Sequence, residues 1–260
     1  MYHDLPVGAQ HINASFSLGS TRLEFRDPPR EVGAEDIICL GSTETFGKFV
    51  ATPYAAHLAL RTGRPCLNLG LPMASVDAFL QDAGAMAMAQ KAGHRIVQVM
   101  GAHGLSNRFY AVHPRRNDRF LRASLQLTTL YPEVDFSEIC FVKHLLSRLW
   151  DVSQERFRIL RQELQQAWAA RMANFLRRIG PQTHLLWFAP QPPSDAVWEE
   201  RCAPLRAEPA FVTKSMLDAL RPLVAGVVEV STAVDGIAFI GQQPDSTAHL
   251  HAAQALARVL

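Results

Sequence analysis

Short, almost wholly apolar runs alternate with amphipathic stretches along most of this chain. Ile37-Ile38-Cys39-Leu40 has no polar alternation, which predicts a strand buried on both faces. Pro65–Leu69, Arg95–Met100, Thr183–Ala189 and Val227–Ser231 read the same way. The stretches between them carry a helical period. Thr52-Pro53 marks a helix start, Ala55, Leu58 and Leu60 follow, and Gly63 stops it. Ser75 caps a second helix, with Val76, Phe79, Leu80 and Ala83 on one face and an end near Gly93. Phe141–Trp150 predicts another. Ser153–Ile179 predicts a long one, because Phe157, Leu160, Leu164, Trp168, Met172, Phe175 and Ile179 recur at intervals of three and four. Pro222 interrupts a helix over Ser215–Ala225, and a last helix starts near Asp245 or Ser246. Strands alternating with helices in this way argue for a parallel sheet covered on both faces.

Residues 1–36 stand outside the alternation and read as an N-terminal arm. Within it, Leu23 and Phe25 alternate with charges over Thr21–Arg26, an edge strand that Pro28-Pro29 ends. Residues 37–260 read as one α/β domain with a helical insertion at about 105–180. Ligands of such sheets sit beyond the carboxyl ends of the strands. That rim comprises Gly41–Thr45, Gly70–Ala74, Gly101–Asn107, Pro190–Pro193 and Ser231–Asp235.

Composition changes this picture little. Hydrophobic residues make up 48%, charged ones 19%, and the net charge is +2. This is ordinary globular usage, with no global signature of nucleic-acid or membrane binding. The N-terminus has no apolar core of signal-peptide length and no stretch reaches spanning length, so a cytoplasmic location is the default expectation. Cys39, Cys66, Cys140 and Cys202 are widely spaced, which indicates neither a metal site nor a disulfide framework. Cys39 and Cys66 fall in strand runs and read as inert core residues. No cofactor is expected.

The first strand runs directly into Gly41-Ser42-Thr43-Glu44-Thr45-Phe46-Gly47. As a phosphate-cradling loop this turn departs from G-x-x-x-x-G-K-[ST] twice: five residues separate Gly41 from Gly47, and Phe49 follows Lys48 where a hydroxyl should stand. Phosphate or nucleotide binding over Gly41–Lys48 is therefore the weaker reading. The turn resembles the G-D-S-x-T-x-G block of the SGNH/GDSL esterases and acyltransferases. Both glycines and Thr45 match, Thr43 stands in the nucleophile place, and Ser42 stands where that family has Asp. The resemblance implies a three-layer α/β/α sandwich, flavodoxin-like, with the five parallel strands in spatial order 2-1-3-4-5. It also implies acyl-ester hydrolysis or acyl transfer on a small or sugar ester. Thr43 or Ser42 would be the nucleophile, because a hydroxyl beside a base can attack an acyl carbon.

The remaining blocks match by position. Gly70 takes the place of the glycine whose N–H helps hold the oxyanion. His103 takes the place of the oxyanion asparagine, and Asn107 is a second candidate for it. The family's D-x-x-H corresponds either to Asp245 and His249, one residue too long, or to Ile240 and Gln243, an alignment without a base. The chain also looks like an uncharacterised bacterial family sharing G-S-T-E-T-F-G and H-P-R-R-N-D-R-F-L.

A separate feature is the crowding of Arg108, Arg115, Arg116, Arg119 and Arg122 just past the third strand. Guanidinium groups facing the rim would hold a phosphate, sulfate or carboxylate. A catalytically degenerate protein binding an anionic or carbohydrate ligand is the alternative function. The expected partner is a small molecule or glycan, not nucleic acid or membrane. The sequence does not set an oligomeric state.

Overall fold

The computed structural model describes residues 16–17, 20–26, 30–196, 208–231, 239–240 and 243–260. The apolar runs form β1 (Ile37–Gly41), β2 (Cys66–Gly70), β3 (His94–Gln98), β4 (Thr183–Phe188) and β5 (Gly226–Val230). They make one parallel sheet in the order β2-β1-β3-β4-β5, the expected 2-1-3-4-5. The chain reverses its direction of winding between β1 and β3, which opens a crevice there. The helices are α1 (Thr43–Phe46), α2 (Tyr54–Thr62), α3 (Val76–Leu80), α4 (Ala83–Lys91), α5 (Leu125–Leu130), α6 (Val142–Val152), α7 (Gln154–Ile179), α8 (Lys214–Asp218) and α9 (Ser246–Ala257).

The two-residue period of the strands sorts their side chains into two cores. Ile38, Leu40, Val97, Leu185 and Trp187 face the larger core with α3, α4, α6 and α7. Ile37, Cys39, Ile96, Leu186, Phe188, Val228 and Val230 face the smaller one with α2 and α9. Together these form three layers. All the apolar positions read at helical spacing along α7 are buried.

Three elements differ from expectation. The helix after Ser75 is two helices, because the Asp82 side chain accepts from Ala85 N (2.8 Å) and starts α4 afresh. The insertion is helical over α5–α7 but opens with an antiparallel hairpin, Tyr110–Val112 against Phe120–Ala123. Arg115, Arg116, Arg119 and Arg122 lie in the turn and second strand of that hairpin, and Arg108 precedes its first strand. The arm's edge strand shortens to Glu24–Phe25, paired antiparallel with Phe16–Ser17. Leu23, Phe25 and Val32 are buried in the larger core, so the arm packs against the domain. Cys202 and the 232–235 part of the rim lie outside the described residues.

Candidate functional site

Gly41 and Gly70 face each other in register at the ends of β1 and β2. A Cβ on Gly41 would overlap Thr45 Oγ1 and the Gln98 side chain, and one on Gly70 would overlap the Phe46 backbone. Both positions must be glycine for α1 to lie across the strand ends. Gly47 then closes α1 in the left-handed region at φ 69°. Gln98, at the end of β3, holds the turn. Its Oε1 accepts from Ser42 N (3.0 Å), Thr45 N (3.1 Å) and Thr45 Oγ1 (2.6 Å), and its Nε2 donates to Glu44 Oε2 (2.7 Å). Asn68 on β2 ties the other side, donating to Thr45 O (2.8 Å) and accepting from Gly70 N (2.9 Å).

A polar pocket of about 100 Å³ opens over this turn. Ser42, Thr43, Glu44, Gln98, His103, Lys143, Glu208 and Gln243 line it together. The Thr43 hydroxyl accepts from Met73 N (3.0 Å) and donates toward Met73 Sδ (3.6 Å). Met73 itself sits at φ 60°, an unusual conformation for a residue with a side chain. Ser42 is half-buried, and its N–H donates to Gln98 while its hydroxyl makes no cap bond.

His103 sits in a short 3₁₀ turn, Ala102–Gly104, after β3. Its Nε2 lies 3.9 Å from Glu208 Oε1, and its buried Nδ1 has no hydrogen-bond partner. Glu208 Oε1 also accepts from Lys143 Nζ (2.7 Å), and Oε2 accepts from Ala210 N (3.2 Å). Burial lowers the His103 pKa below the ordinary histidine value, against the opposing charge of Glu208. Burial alone would raise Glu208, but His103 and Lys143 outweigh it and hold the carboxyl below the usual glutamate range. Glu44 goes the other way, raised first by burial and then by the charge of Glu208. One pocket thus holds a carboxyl pushed up and a carboxylate held down. Glu208 and Pro209 also form part of the wall of a second, larger cavity of about 560 Å³.

Several expected site residues lie elsewhere. His249 is buried between Tyr54 and Phe188 and does not line the pocket. Its Nδ1 accepts from Tyr54 N (3.0 Å), and burial pushes its pKa down to about 3. Asp245 caps α9, accepting from Ala248 N (2.8 Å). Gln243 lines the pocket instead and donates to Glu44 Oε1 (3.3 Å). The Gly70 N–H is taken by Asn68 and does not face an oxyanion. Asn107 builds its own turn, accepting from Phe109 N and Tyr110 N and donating to Leu105 O. No phosphate cradle forms at Gly41–Lys48, because Ser42 N and Thr45 N both point at Gln98.

The arginines separate. Arg108 pairs with Glu163 (2.9 Å). Arg119 lies over the Phe141 ring at 4.1 Å, and Arg122 is exposed. Only Arg115 and Arg116 share a groove. Gln98, Glu44, Lys143 and Glu208 were not foreseen. Gln98 carried a readable signal, a polar side chain interrupting the apolar run Ile96–Met100. Glu208 carried none, since its partner His103 is far away in sequence.

Over residues 1–260 the chain matches the family described as "Domain of unknown function (DUF6473)". No curated protein matches it. Similar solved structures include esterases and lipases. The lipase Lip_vut3 from a goat rumen metagenome is 11% identical, covering 86% of this chain and 96% of that one, with a TM-score of 0.44. A putative lipolytic protein of the G-D-S-L family from Desulfitobacterium hafniense is 14% identical, covering 87% and 99%, with a TM-score of 0.45. A carbohydrate esterase family 2 enzyme from Corynascus thermopiles (Myceliophthora fergusii) is 12% identical, covering 89% and 67%, with a TM-score of 0.46.

Proposed function

This chain belongs to the DUF6473 family, and we propose that it is an acyl-ester hydrolase or acyltransferase whose base differs from the one the SGNH resemblance implies. The observation that carries the proposal is the shared pocket of Ser42 and His103, with Glu208 beside the imidazole. Glu208 near Nε2 favours the tautomer with the proton there, which leaves Nδ1 basic. Ser42 Oγ then attacks the acyl carbon, and its proton passes to His103 Nδ1. The alcohol leaves with that proton, and water or an acceptor alcohol repeats the sequence to release the acyl group. Ser42 suits the nucleophile better than Thr43, whose hydroxyl Met73 already engages on both sides. Lys143 supplies positive charge beside the developing oxyanion. The pocket is small, about 100 Å³, which suits a short acyl group better than a long one.

The test is hydrolysis of p-nitrophenyl acetate, p-nitrophenyl butyrate and an acetylated sugar. Acetyl esters should be preferred. Ser42→Ala and His103→Ala should each lower kcat/KM by about 100-fold or more, and the pair together little further. Thr43→Ala should keep most of the activity. The rate should fall only in acid, with an apparent pKa below the ordinary histidine value, because the base is held neutral by burial. Turnover that ignores both Ser42 and His103 would remove this assignment.

A second reading is favoured by Gln243, which carries a carboxamide where the family's base would be. On that reading the pocket binds a small polar or carbohydrate ligand without turning it over. Absence of hydrolysis across all the esters, with retained binding of the deacylated sugar, would select it.

A further inference from the structure

We propose that a groove on the far side of the Leu71–Ser75 loop binds a sugar-sized phosphate or sulfate ester. The groove measures about 650 Å³ and is lined by Arg22 from the arm, Lys48 from the turn after α1, and Arg115 and Arg116 from the hairpin. Glu24 is the carboxylate among its lining residues. The cations therefore come from three separate segments and converge only on folding. None of the four forms an ion pair with a described residue, whereas Arg30, Arg108, Arg156, Arg171 and Arg221 all pair with carboxylates. Lys48 also lies over the Phe49 ring at 5.7 Å, but bringing four like charges together with no carboxylate partner among the described residues is unfavourable, and a bound anion offsets it.

The turn that presents the two arginines is fixed in place. His113 Nδ1 accepts from Arg115 N (3.2 Å) and Arg116 N (3.1 Å), which puts the neutral ring's proton on Nε2. His113 lines the groove, so that N–H is an additional donor there. Asn117 Nδ2 donates to His113 O (2.9 Å), while its Oδ1 accepts from Ser75 N (2.7 Å) and Ser75 Oγ (2.9 Å). The arginine turn is thereby anchored to the same loop that covers Thr43. Leu23, Phe46, Leu71 and Pro72 give the groove apolar walls. Guanidinium forks match the oxygens of a phosphate or sulfate ester, and the apolar walls take the body that carries it. This assignment does not depend on the hydrolase reading, because binding is measured without turnover.

The experiment is calorimetric titration of the full chain with glucose 6-phosphate, glucose 6-sulfate, glucose and inorganic phosphate, alongside sedimentation with phosphatidylglycerol vesicles. At least one charged sugar should bind, with affinity falling as salt rises. The phosphate and sulfate arms decide which ester is preferred. Arg116→Glu should weaken that binding at least about tenfold, and Arg158→Glu on the exposed face of α7 should leave it unchanged. Circular dichroism melts of both variants check that they fold. Hydrolysis of an uncharged acetyl ester should be the same in both, so a failed groove and a failed pocket give different results. Equal effects of the two substitutions would overturn the assignment. So would inorganic phosphate binding as well as the sugar esters, binding of neutral glucose alone, or binding to vesicles only.

Discussion

A single carboxamide fixes much of the rim. Gln98 accepts from two backbone N–H groups and a hydroxyl, and donates to a buried carboxyl. Replacing it by Leu keeps the volume but removes all four hydrogen bonds. Thr45 Oγ1 keeps Tyr54 and the Glu44 carboxyl keeps Gln243, so the stranded groups are the N–H of Ser42 and of Thr45. Gln98→Leu should cost about 2–4 kcal/mol in urea unfolding. A loss under about 1 kcal/mol would mean that the turn finds other partners. At this scale the sequence was partly legible. Gly41 and Gly70 stand where their roles demand, because close approach of α1 tolerates no Cβ. Thr43 was legible as a rim residue, but not its burial under Met73, which depends on the course of a loop thirty positions away.

At the scale of elements, the helix that carries His249 shows why the sequence left two alignments of the D-x-x-H block open. A histidine in the first turn of α9 reads the same whether its ring turns to the rim or to the core. The deciding partner is the Tyr54 N–H, 195 residues away. Pro53 precedes α2 and offers no side-chain cap, so the first N–H of that helix is satisfied by the imidazole of α9. The histidine is a cap supplied in trans by another helix. Its pKa lies near 3 in the folded chain and at the ordinary value when unfolded. Between those two values the unfolded state binds the extra proton, so stability is complete above the ordinary histidine pKa and lost as pH falls toward 3. This group should contribute a slope of up to about 1.4 kcal/mol per pH unit across that window. Thermal melts from pH 7 to pH 4 should show it. His249→Gln should flatten the slope, and an unchanged slope would mean that other groups carry the acid sensitivity. The strands were easier to read, since apolar runs buried on both faces have few alternative uses. The hairpin at 110–123 was harder, because its polar, arginine-rich turn lacks the alternation that marks a strand.

For the whole molecule, the described part of the arm is built into the domain's core through Leu23, Phe25 and Val32. Phe25 is fully buried in the larger core, and the Arg26 guanidinium donates to the carbonyls of Phe46, Gly47, Val50 and Ala51 around the end of α1. Phe25→Ala should cost about 3–5 kcal/mol, measured by urea denaturation. It should also lower binding in the basic groove, because Arg22 lies on the same segment. Stability close to that of the parent chain would show that the arm is an independent appendage. The parallel order of the sheet could be read from alternation and resemblance, whereas the arm's packing could not, because its short alternating stretch is also what an exposed edge looks like. Glu208 and Pro209 have a different consequence. They are a party wall, one face on the small polar pocket and the other on the cavity of about 560 Å³. Any occupant of the larger chamber that shifts this wall alters the proton affinity of His103. By thermodynamic reciprocity, whatever ionises in the smaller one alters the affinity of the larger by the same factor. A ligand that binds the larger cavity and moves this wall should therefore bind with a pH dependence set by His103 and Glu208.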